Sequence, residues 1–359
     1  MTDTVLIGTA KGLIEVEFGM YPTITQVHFQ GFPVTMVYAD PRNGRWWVGI
    51  SHKHWGQKLH FSDDKGSIWL EASVPSFGDR LMPNMNKAVL HQIWTMASGG
   101  EDQPNTLWLG TEPGALFVSR DGGTTFELVE GLWNDPSRII ETQWFATGSK
   151  HPFLHTIQID PQDSSHLYVA ISCAGVFESI DGGITWQPKN NGLKSAYLPE
   201  PDVDIGHDPH NLWLHPKNGN ILWQQNHCGI FYSDDGARHW KEVSDDSGVP
   251  SYGFAMVIDV LDPAKAWVIP ALNDEQRIPP GLSLSVFHTD NFGKSWSSIS
   301  EGLPDKNCFD IVLRQSFARK GEKMVFGTNS GNVYYRLDNT TSWRCLTNNL
   351  TKVNVTVFV

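Results

Sequence analysis

Apolar and polar residues alternate in short runs along almost the whole chain, as in "TVLIGT" (4–9), "GLIEVEF" (12–18) and "VTMVYADP" (34–41). Gly, Pro, Asp or Asn residues bound most of these runs. Alternation at every second residue over about four to eight positions predicts half-buried β-strands. Since no window carries a long apolar stripe with the helical period of about 3.6 residues, we expect an all-β fold with little helix.

Six polar nonamers interrupt these runs, among them "VSRDGGTTF" (118–126) and "ESIDGGITW" (178–186). The Asp of such a stretch accepts hydrogen bonds from nearby backbone N–H groups and the Gly adopts a positive φ, which together make a tight turn. An apolar stretch precedes most copies and an aromatic residue closes each one, so each nonamer is predicted to be the loop of a β-hairpin. The second positions of the six copies are Ser62, Ser119, Ser179, Ser233, Thr289 and Arg336, and the sixth copy keeps Asp338 and Trp343 near register.

The copies are spaced by 57, 60, 54, 56 and 47 residues, a period that indicates a repeat architecture. Their pattern, Ser-x-Asp-x-Gly-x-Thr-Trp, resembles the Asp-box, or BNR repeat, of sialidase-superfamily β-propellers over nearly the whole chain. The resemblance implies a propeller, because the box is a structural hairpin in that family and lies away from the active site. Bacterial glycosyl-hydrolase-like BNR proteins, xyloglucanase-type propellers and non-enzymatic photosystem assembly factors share the box, so the resemblance leaves the function open.

Counting strands predicts a single β-propeller domain of seven blades over residues 1–359. The tail "VNVTVFV" (353–359) is an inner strand with nothing after it, and the head (4–29) supplies three strands that lack an inner strand. Head and tail are therefore expected to form one composite blade, because such closure removes free sheet edges. The other six blades are expected within residues 33–350, with inner strands at 34–41, 91–98, 155–161, 210–216, 254–263 and 309–315.

The nonamers are expected to mark one face of the propeller, here called the bottom face, because strand direction alternates within a blade. The top face then holds the loops between second and third strands, the interblade connections and the starts of the inner strands. Three long loops gather there, at 130–154, 194–209 and 270–284. Binding sites favour such loops on a rigid scaffold, so the functional site is predicted at the centre of the top face.

Histidines are concentrated on the predicted top face. His91, His155 and His210 each open an inner strand in consecutive blades, and His227 follows in a top-face turn. Neutral imidazoles bind divalent ions, so these four are candidate ligands of zinc, manganese or nickel. Two alternatives stay open: the histidines act as acids or bases or contact substrate, or they are hydrogen-bonded side chains that pack a polar channel.

Carboxylates and arginines of this face supply further candidates. Glu112 and Asp208 are candidate catalytic residues together with His155 and His210, since two carboxylates beside a sugar bond suffice for glycoside hydrolysis. Glu141 lies in the long loop before His155. A guanidinium binds a carboxylate or phosphate through two hydrogen bonds, which makes the arginines of the long loops candidates for substrate binding. The candidate substrate-binding residues are His52, His54, Arg138, Arg277 and His227.

Composition limits the partners and the location. The chain has 39 acidic and 27 basic residues, a net charge of −12 and no Lys/Arg cluster, so nucleic acid and anionic membranes are poor partners. The first residues lack a basic region followed by an unbroken apolar run, and the four cysteines lack C-x-x-C spacing. We therefore expect no signal peptide or membrane span, reduced thiols, a cytoplasmic location and a monomer or weak homo-oligomer.

Three functions are consistent with these observations. The first is a carbohydrate-active hydrolase-like enzyme that acts on a sugar or sugar acid, free or within an oligosaccharide, in the top-face pocket. The alternatives are a metal-dependent lyase or hydrolase with a divalent ion on axial histidines and a non-catalytic interaction scaffold. A true sialidase is disfavoured: the resemblance implies an Arg-Ile-Pro motif near the N-terminus, but the first thirty residues contain no Arg, and "RIPPG" (277–281) lies in the fifth blade.

Overall fold

Seven four-stranded antiparallel sheets make up the fold. The computed structural model describes residues 3–140, 143–146, 148–337 and 342–359, and these contain 28 strands. Helix is confined in those ranges to α1 (Glu130–Trp133) and two short 3₁₀ turns, Pro136–Ile139 and Pro280–Leu282. No helix of the described residues is long and apolar enough to cross a membrane. The predicted all-β, seven-bladed propeller is confirmed.

Each sheet is one blade, and in six of the seven the strands lie in chain order from the axis outwards. The chain opens with three strands of a composite blade: β1 (Asp3–Thr9), β2 (Gly12–Phe18) and β3 (Thr23–His28). The first two complete blades are β4 (Val34–Ala39), β5 (Trp46–His52), β6 (Gly56–Ser62) and β7 (Leu70–Ala72), then β8 (Gln92–Ser98), β9 (Leu107–Glu112), β10 (Ala115–Ser119) and β11 (Glu127–Leu128). The third and fourth are β12 (Leu154–Asp160), β13 (Asp163–Ile171), β14 (Gly175–Ser179) and β15 (Gln187–Pro188), then β16 (Pro209–Leu214), β17 (Leu222–Asn226), β18 (Gly229–Ser233) and β19 (Lys241–Glu242). The fifth and sixth are β20 (Gly253–Ile258), β21 (Ala266–Pro270), β22 (Val286–Thr289) and β23 (Ser297–Ile299), then β24 (Phe317–Lys320), β25 (Lys323–Gly327), β26 (Val333–Arg336) and β27 (Arg344–Thr347).

The last strand, β28 (Val353–Phe358), completes the composite blade. It pairs antiparallel with β1, with Thr356 opposite Ile7, and becomes the inner strand of that sheet. Neighbouring inner strands contact one another around the whole ring, including β28 with both β4 and β24. Pairing the two chain ends in one sheet closes the array. The predicted closure is confirmed.

One predicted inner strand is wrong. The inner strand of the sixth blade is β24, whereas residues 309–315, here called the axial segment, lie outside the sheets. The Nε2 group of Gln315 donates hydrogen bonds to the carbonyls of Trp94 and His155, which belong to the second and third blades on the far side of the ring. The segment therefore reaches across the propeller axis.

Five of the six nonamers form the turn between third and fourth strands with one shared hydrogen-bond pattern. In the third copy, Ser179 Oγ donates to Asp181 Oδ1 at 2.8 Å and accepts from Gly183 N at 2.9 Å. Asp181 Oδ1 also accepts from Thr185 N at 2.9 Å, so the pair satisfies backbone donors of the tight turn. Asp338, in the sixth copy, lies outside the described residues. The same three bonds recur in the nonamers that contain Ser62, Ser119, Ser233 and Thr289.

The aromatic residues that close the nonamers join neighbouring blades. Trp240 Nε1 donates to Lys189 O of the preceding blade at 2.8 Å, and Trp296 Nε1 donates to Val243 O at 2.9 Å. Both rings are buried among apolar side chains of two blades. Burying a large apolar side chain stabilises a fold by about 1.5–3 kcal/mol, so each closing aromatic helps to fix one blade against the next.

Candidate functional site

A pocket of about 250 Å³, here called the axial pocket, opens on the top face at the propeller axis. A second cavity of about 410 Å³, here called the lower channel, is lined by residues further along the same inner strands. Trp94, His210, Arg314 and Gln315 line both cavities and therefore form the floor between them. The walls of the axial pocket also include Thr35, Asp208, His227, Phe254, Arg277 and Asn354.

Six of the seven inner strands carry a β-bulge at the level of this floor. In β16, the pairing with β17 shifts by one residue between Pro209 and Asn211, which leaves His210 without a partner across the ladder. A bulge redirects the extra side chain and is common beside active sites. The bulged residues at this level are Thr35, Trp94, His155, His210, Phe254 and Asn354.

These bulges correct the predicted set of three equivalent histidines. His155 and His210 are equivalent in neighbouring blades, but the equivalent residue of the second blade is Trp94. His91 lies three residues earlier and stacks on His151, with ring centroids 5.2 Å apart. Within the described residues the axial pocket wall does not include His91. His91 is therefore not part of a shared ligand site with His210.

His155 lies in the lower channel as a packed, neutral side chain. Its Nε2 is 2.9 Å from Pro209 O, which only accepts, and its Nδ1 is 2.9 Å from Thr156 Oγ1. Burial, helped by the Arg314 guanidinium, lowers the pKa of His155 to about 3. Since both ring nitrogens have partners, His155 fits a hydrogen-bonded channel histidine better than a metal ligand or a catalytic base.

Asp208, His210 and His227 converge on one point of the axial pocket wall. Asp208 directly precedes β16, His210 lies within it, and His227 lies in the turn between β17 and β18. Asp208 Oδ2 is 3.2 Å from His210 Nε2 and 3.5 Å from His227 Nδ1, and the three ligand atoms lie within 4.8 Å of one another. One carboxylate oxygen and two imidazole nitrogens are a donor set that suits a divalent ion such as zinc, manganese or nickel.

Two hydrogen-bond donors hold the Asp208 carboxylate through Oδ1, the oxygen other than the one nearest the histidines. Its Oδ1 accepts hydrogen bonds from Ser172 Oγ at 2.7 Å and Cys173 N at 3.2 Å. Hydrogen-bond donors to a carboxylate stabilise its ionised form. Asp208 is therefore ionised, with Oδ2 directed at the two imidazoles.

His210 presents a lone pair to this carboxylate. Its Nδ1 lies 2.6 Å from Gly253 O, an acceptor, so Nδ1 carries the hydrogen of the neutral ring. Nε2 then faces Asp208 Oδ2 at 3.2 Å, and two acceptors at this distance need a proton or a cation between them. Burial, although opposed by Asp208, lowers the pKa of His210 and so disfavours the proton. The residues present therefore fit a bound cation.

Glu112 and Arg138 have structural contacts away from the axial pocket. Glu112 Oε1 accepts hydrogen bonds from the backbone N–H groups of residues 150 and 151 at 3.1 and 3.2 Å, which ties the loop before β12 to β9. Arg138 is buried, donates to Gly114 O and packs its guanidinium 3.9 Å from the Trp133 ring. The pocket wall in the described ranges includes neither residue.

His52 and His54 lie in the turn between β5 and β6. His52 stacks on Trp55 with centroids 4.3 Å apart, and its Nδ1 accepts from the N–H groups of His54 and Trp55 at 3.1 Å. The turn is on the top face, but its residues are not among those described as lining the axial pocket. Glu141 lies outside the described residues.

Arg277 and Asp274 line the axial pocket above the histidines. Arg277 Nε donates to Asp274 O at 3.1 Å, and its guanidinium lies 5.5 Å from the Phe254 ring. Asp274 Oδ2 lies 3.8 Å from His227 Nε2. This rim therefore places one carboxylate beside the outer nitrogen of His227.

Arg314 is a pocket residue that the sequence reasoning missed. Its guanidinium lies 5.1 Å from the Phe153 ring and 5.2 Å from the Phe254 ring. The residue belongs to the axial segment, which alternation assigns to a strand. The stretch "KGEK" at 320–323 shows that 309–315 is not the inner strand. A two-residue turn there requires the inner strand to end at Lys320.

No family model matches the chain. The chain is 23% identical over 227 residues to the oligoxyloglucan-reducing end-specific xyloglucanase of Emericella nidulans, a match that covers 61% of this chain and 26% of that enzyme. Among solved structures, an ancestral GH74 enzyme matches with a TM-score of 0.57 and 15% identity over 99% of this chain and 40% of its own. YCF48 from Cyanidioschyzon merolae matches with a TM-score of 0.59 and 15% identity, over 94% of this chain and 97% of its own. These structural likenesses show the shared propeller fold alone.

Proposed function

We propose that this protein is a carbohydrate-active enzyme that binds a sugar or sugar acid in the axial pocket, with a divalent cation on Asp208, His210 and His227. The observation that carries the proposal is the contact of two acceptors, His210 Nε2 and Asp208 Oδ2, at 3.2 Å. Sequence similarity to a xyloglucanase supports the carbohydrate part, over 26% of that relative's length.

The side chains around the two histidines fix both rings for ligation. Phe254 stacks on His210 with centroids 4.5 Å apart, while Tyr197 and Tyr252 pack edge-on against His227 at 4.9 and 5.4 Å. When His227 Nδ1 is a ligand, its Nε2 carries the hydrogen and faces Asp274. A carboxylate behind a ligating histidine holds its tautomer and raises its basicity.

The reaction class follows from the residues that share the pocket. A bound divalent cation supplies a Lewis acid that polarises a carbonyl or activates a water molecule. Glu112 and Asp208, the predicted carboxylate pair, do not face one cavity, because Glu112 is bonded to the loop before β12. A metal-dependent lyase or hydrolase is therefore the class that the geometry supports best, rather than a glycosidase that uses this pair.

The shared turn geometry supports a second, structural proposal. In five nonamers a Ser or Thr hydroxyl donates to an Asp or Asn oxygen, and both side chains accept from backbone N–H groups of the turn. We propose on this ground that the repeats are Asp-boxes of the sialidase-superfamily type. This relationship concerns the fold and does not bear on the reaction.

Activity assays on metal-stripped and metal-reloaded protein test the proposed function. Protein treated with a chelator is reloaded with zinc, manganese or nickel and incubated with neutral and acidic oligosaccharides, and products are separated by chromatography. We expect turnover with a loaded form, its loss in His227→Asn, and its retention in the matched control His91→Asn, which alters a histidine outside the pocket. Turnover that survives both the chelator and His227→Asn would rule out the metal-dependent mechanism.

A further inference from the structure

Arg314 brings a positive charge to the axial pocket without a carboxylate in ion-pair contact among the described residues. Within the part of the chain that the structure describes, no carboxylate forms an ion pair with its guanidinium, and its buried Nε has no hydrogen-bond partner. Asp208 attracts the guanidinium electrostatically, but Asp208 Oδ1 already accepts from Ser172 and Cys173. A charge removed from water in this way is costly unless a counter-ion accompanies it.

Arg319 shows the arrangement that Arg314 lacks. The Arg319 guanidinium also packs on an aromatic ring, 4.2 Å from Trp267, and its Nε also lacks a hydrogen-bond partner in the described ranges, but its Nη2 forms an ion pair with Asp259 at 2.8 Å. Arg314 has the aromatic contacts, with Phe153 and Phe254, and no such anion. Buried Arg138 also lacks a carboxylate partner among the described residues, but it donates to Gly114 O and lies outside the axial pocket, whereas Arg314 lines that pocket. The position of Arg314 therefore favours an anion supplied by a ligand.

The backbone that carries Arg314 is held by other blades. Asn211 Nδ2 of the fourth blade donates to Arg314 O at 2.7 Å, and Thr356 N of the composite blade donates to Gln315 O at 2.8 Å. The side chain of Gln315 bonds two further carbonyls across the ring. A guanidinium positioned in this way loses little conformational freedom when a ligand binds.

The axial pocket is cationic although the chain is acidic. Arg277, Arg314 and Lys352 line it, against Asp208 and Asp274, while the whole chain has a net charge of −12. A divalent ion on the histidines would add to this positive charge. Such a local excess of positive charge attracts anionic ligands and repels cationic ones.

We propose that Arg314 binds the carboxylate of a sugar acid and selects uronic acids over neutral sugars; the sugar part of this inference rests on the proposed function. A planar guanidinium pairs with a carboxylate through two parallel hydrogen bonds. A phosphate ester is the competing anion for this cationic pocket, and the titration below distinguishes it from a carboxylate. Arg314 is therefore a specificity-determining residue for a carboxylate.

Calorimetric titration with three probes tests this inference: galacturonate, its neutral counterpart galactose, and galactose 6-phosphate. A charge-assisted bidentate contact changes affinity by about 10- to 100-fold, so galacturonate should bind the wild type more tightly than galactose by that factor. Arg314→Gln should lower galacturonate binding to the level of galactose and leave galactose binding and metal content unchanged. Arg120→Gln removes the same charge from a box turn on the bottom face and should change none of these values.

Because Arg314 packs between two phenylalanine rings, Arg314→Lys is measured beside Arg314→Gln. Lysine keeps the charge but lacks the two parallel N–H donors of a guanidinium, so galacturonate should bind about 10-fold more weakly while the near-UV circular dichroism stays native. Equal binding of galacturonate and galactose, a preference for the phosphate ester, no binding of galacturonate at millimolar concentration, or unchanged affinity in folded Arg314 variants would each overturn the inference. If the wild type contains no metal but still binds galacturonate more tightly than galactose, only the proposed metal-dependent function is refuted.

Discussion

Gln315 Nε2 donates a hydrogen bond of 3.0 Å to the backbone carbonyl of Trp94 and thereby links the axial segment to the second blade across the propeller axis. The same amide group bonds the carbonyl of His155 in the third blade at 3.0 Å. These bonds hold the axial segment as the floor between the axial pocket and the lower channel. The position of Arg314 therefore depends on the amide of its neighbour.

Gln315→Ala is expected to lower the free energy of unfolding by about 1–3 kcal/mol, because it leaves two inward-facing carbonyls without their donor. Urea denaturation followed by tryptophan fluorescence measures the change. Gln26→Ala, on the exposed outer strand β3, is the matched control and should change stability by less than about 0.5 kcal/mol. Equal stability of the two variants would show that the floor does not need this amide.

Asp181→Ala is expected to lower the thermal unfolding midpoint by about 1–3 °C, because two backbone N–H groups and two hydroxyls of the turn lose their acceptor. The fifth box supplies the control, since Asn291 makes the equivalent bonds to Thr289 and Ser295. Asp181→Asn should therefore retain most of the wild-type midpoint. A midpoint for the alanine variant equal to that of wild type would contradict the role of this side chain.

The His166–Glu178 pair of the third blade predicts a pH-dependent stability. His166 Nε2 lies 2.8 Å from Glu178 Oε1, and this bond, opposed by burial, raises the pKa of His166. Burial favours a higher pKa for Glu178, but His166 and Lys189 outweigh it and lower that pKa to about 2. The contribution of His166 to the free energy of unfolding is full below its unfolded pKa of 6.5 and is lost as pH rises through the folded pKa. The contribution of Glu178 is present above its unfolded pKa of 4.5 and is lost as pH falls towards 2.

We therefore expect His166→Asn to reduce the free energy of unfolding by about 1 kcal/mol between pH 4.5 and 6.5, and by less at about pH 9. Denaturant titrations across this range measure the difference. His239→Asn removes an exposed histidine beside Asp235 and should have a small effect at every pH. If the loss of unfolding free energy in His166→Asn grows as pH rises, the proposed ion pair between His166 and Glu178 is wrong.

Glu112→Gln separates a structural role for Glu112 from a catalytic one. The glutamine carbonyl still accepts the N–H groups of residues 150 and 151, so stability should fall by no more than about 1 kcal/mol. Metal content and galacturonate affinity should match the wild type, because Glu112 does not line the axial pocket in the described residues. Loss of activity with native stability and full metal content would restore Glu112 as a catalytic residue.

Sequence patterns predict most of the fold because each blade repeats the same local signals. The nonamers locate five hairpin turns, and the unpaired head and tail require the pairing of β28 with β1. The alternating pattern wrongly predicts an inner strand at 309–315, because an extended segment that crosses the axis has the same pattern as a strand. The turn at "KGEK" distinguishes the two possibilities, since it fixes β24 and leaves the preceding residues to the axis.

The candidate site is harder to predict because bulges decide which residues face the axis. The bulged residue of β8 is Trp94, three residues after His91, so Trp94 rather than His91 lines the pocket. Asp208 and His227 are recognisable from sequence by their closeness to His210 and by a top-face turn. Arg314 has no local signal of function, since its role comes from the aromatic rings and missing anion that the fold places around it.

Metal stoichiometry measured by mass spectrometry on tag-free protein, never exposed to chelator, shows whether Asp208, His210 and His227 hold a divalent ion. We predict about one zinc, manganese or nickel ion per chain in the wild type and in His155→Gln, because both nitrogens of His155 are bonded within the lower channel. His227→Asn and Asp208→Asn should lose the ion while remaining folded by circular dichroism. A wild-type protein that binds none of these ions even after reloading, or an ion that persists in folded Asp208→Asn, would rule out this metal site.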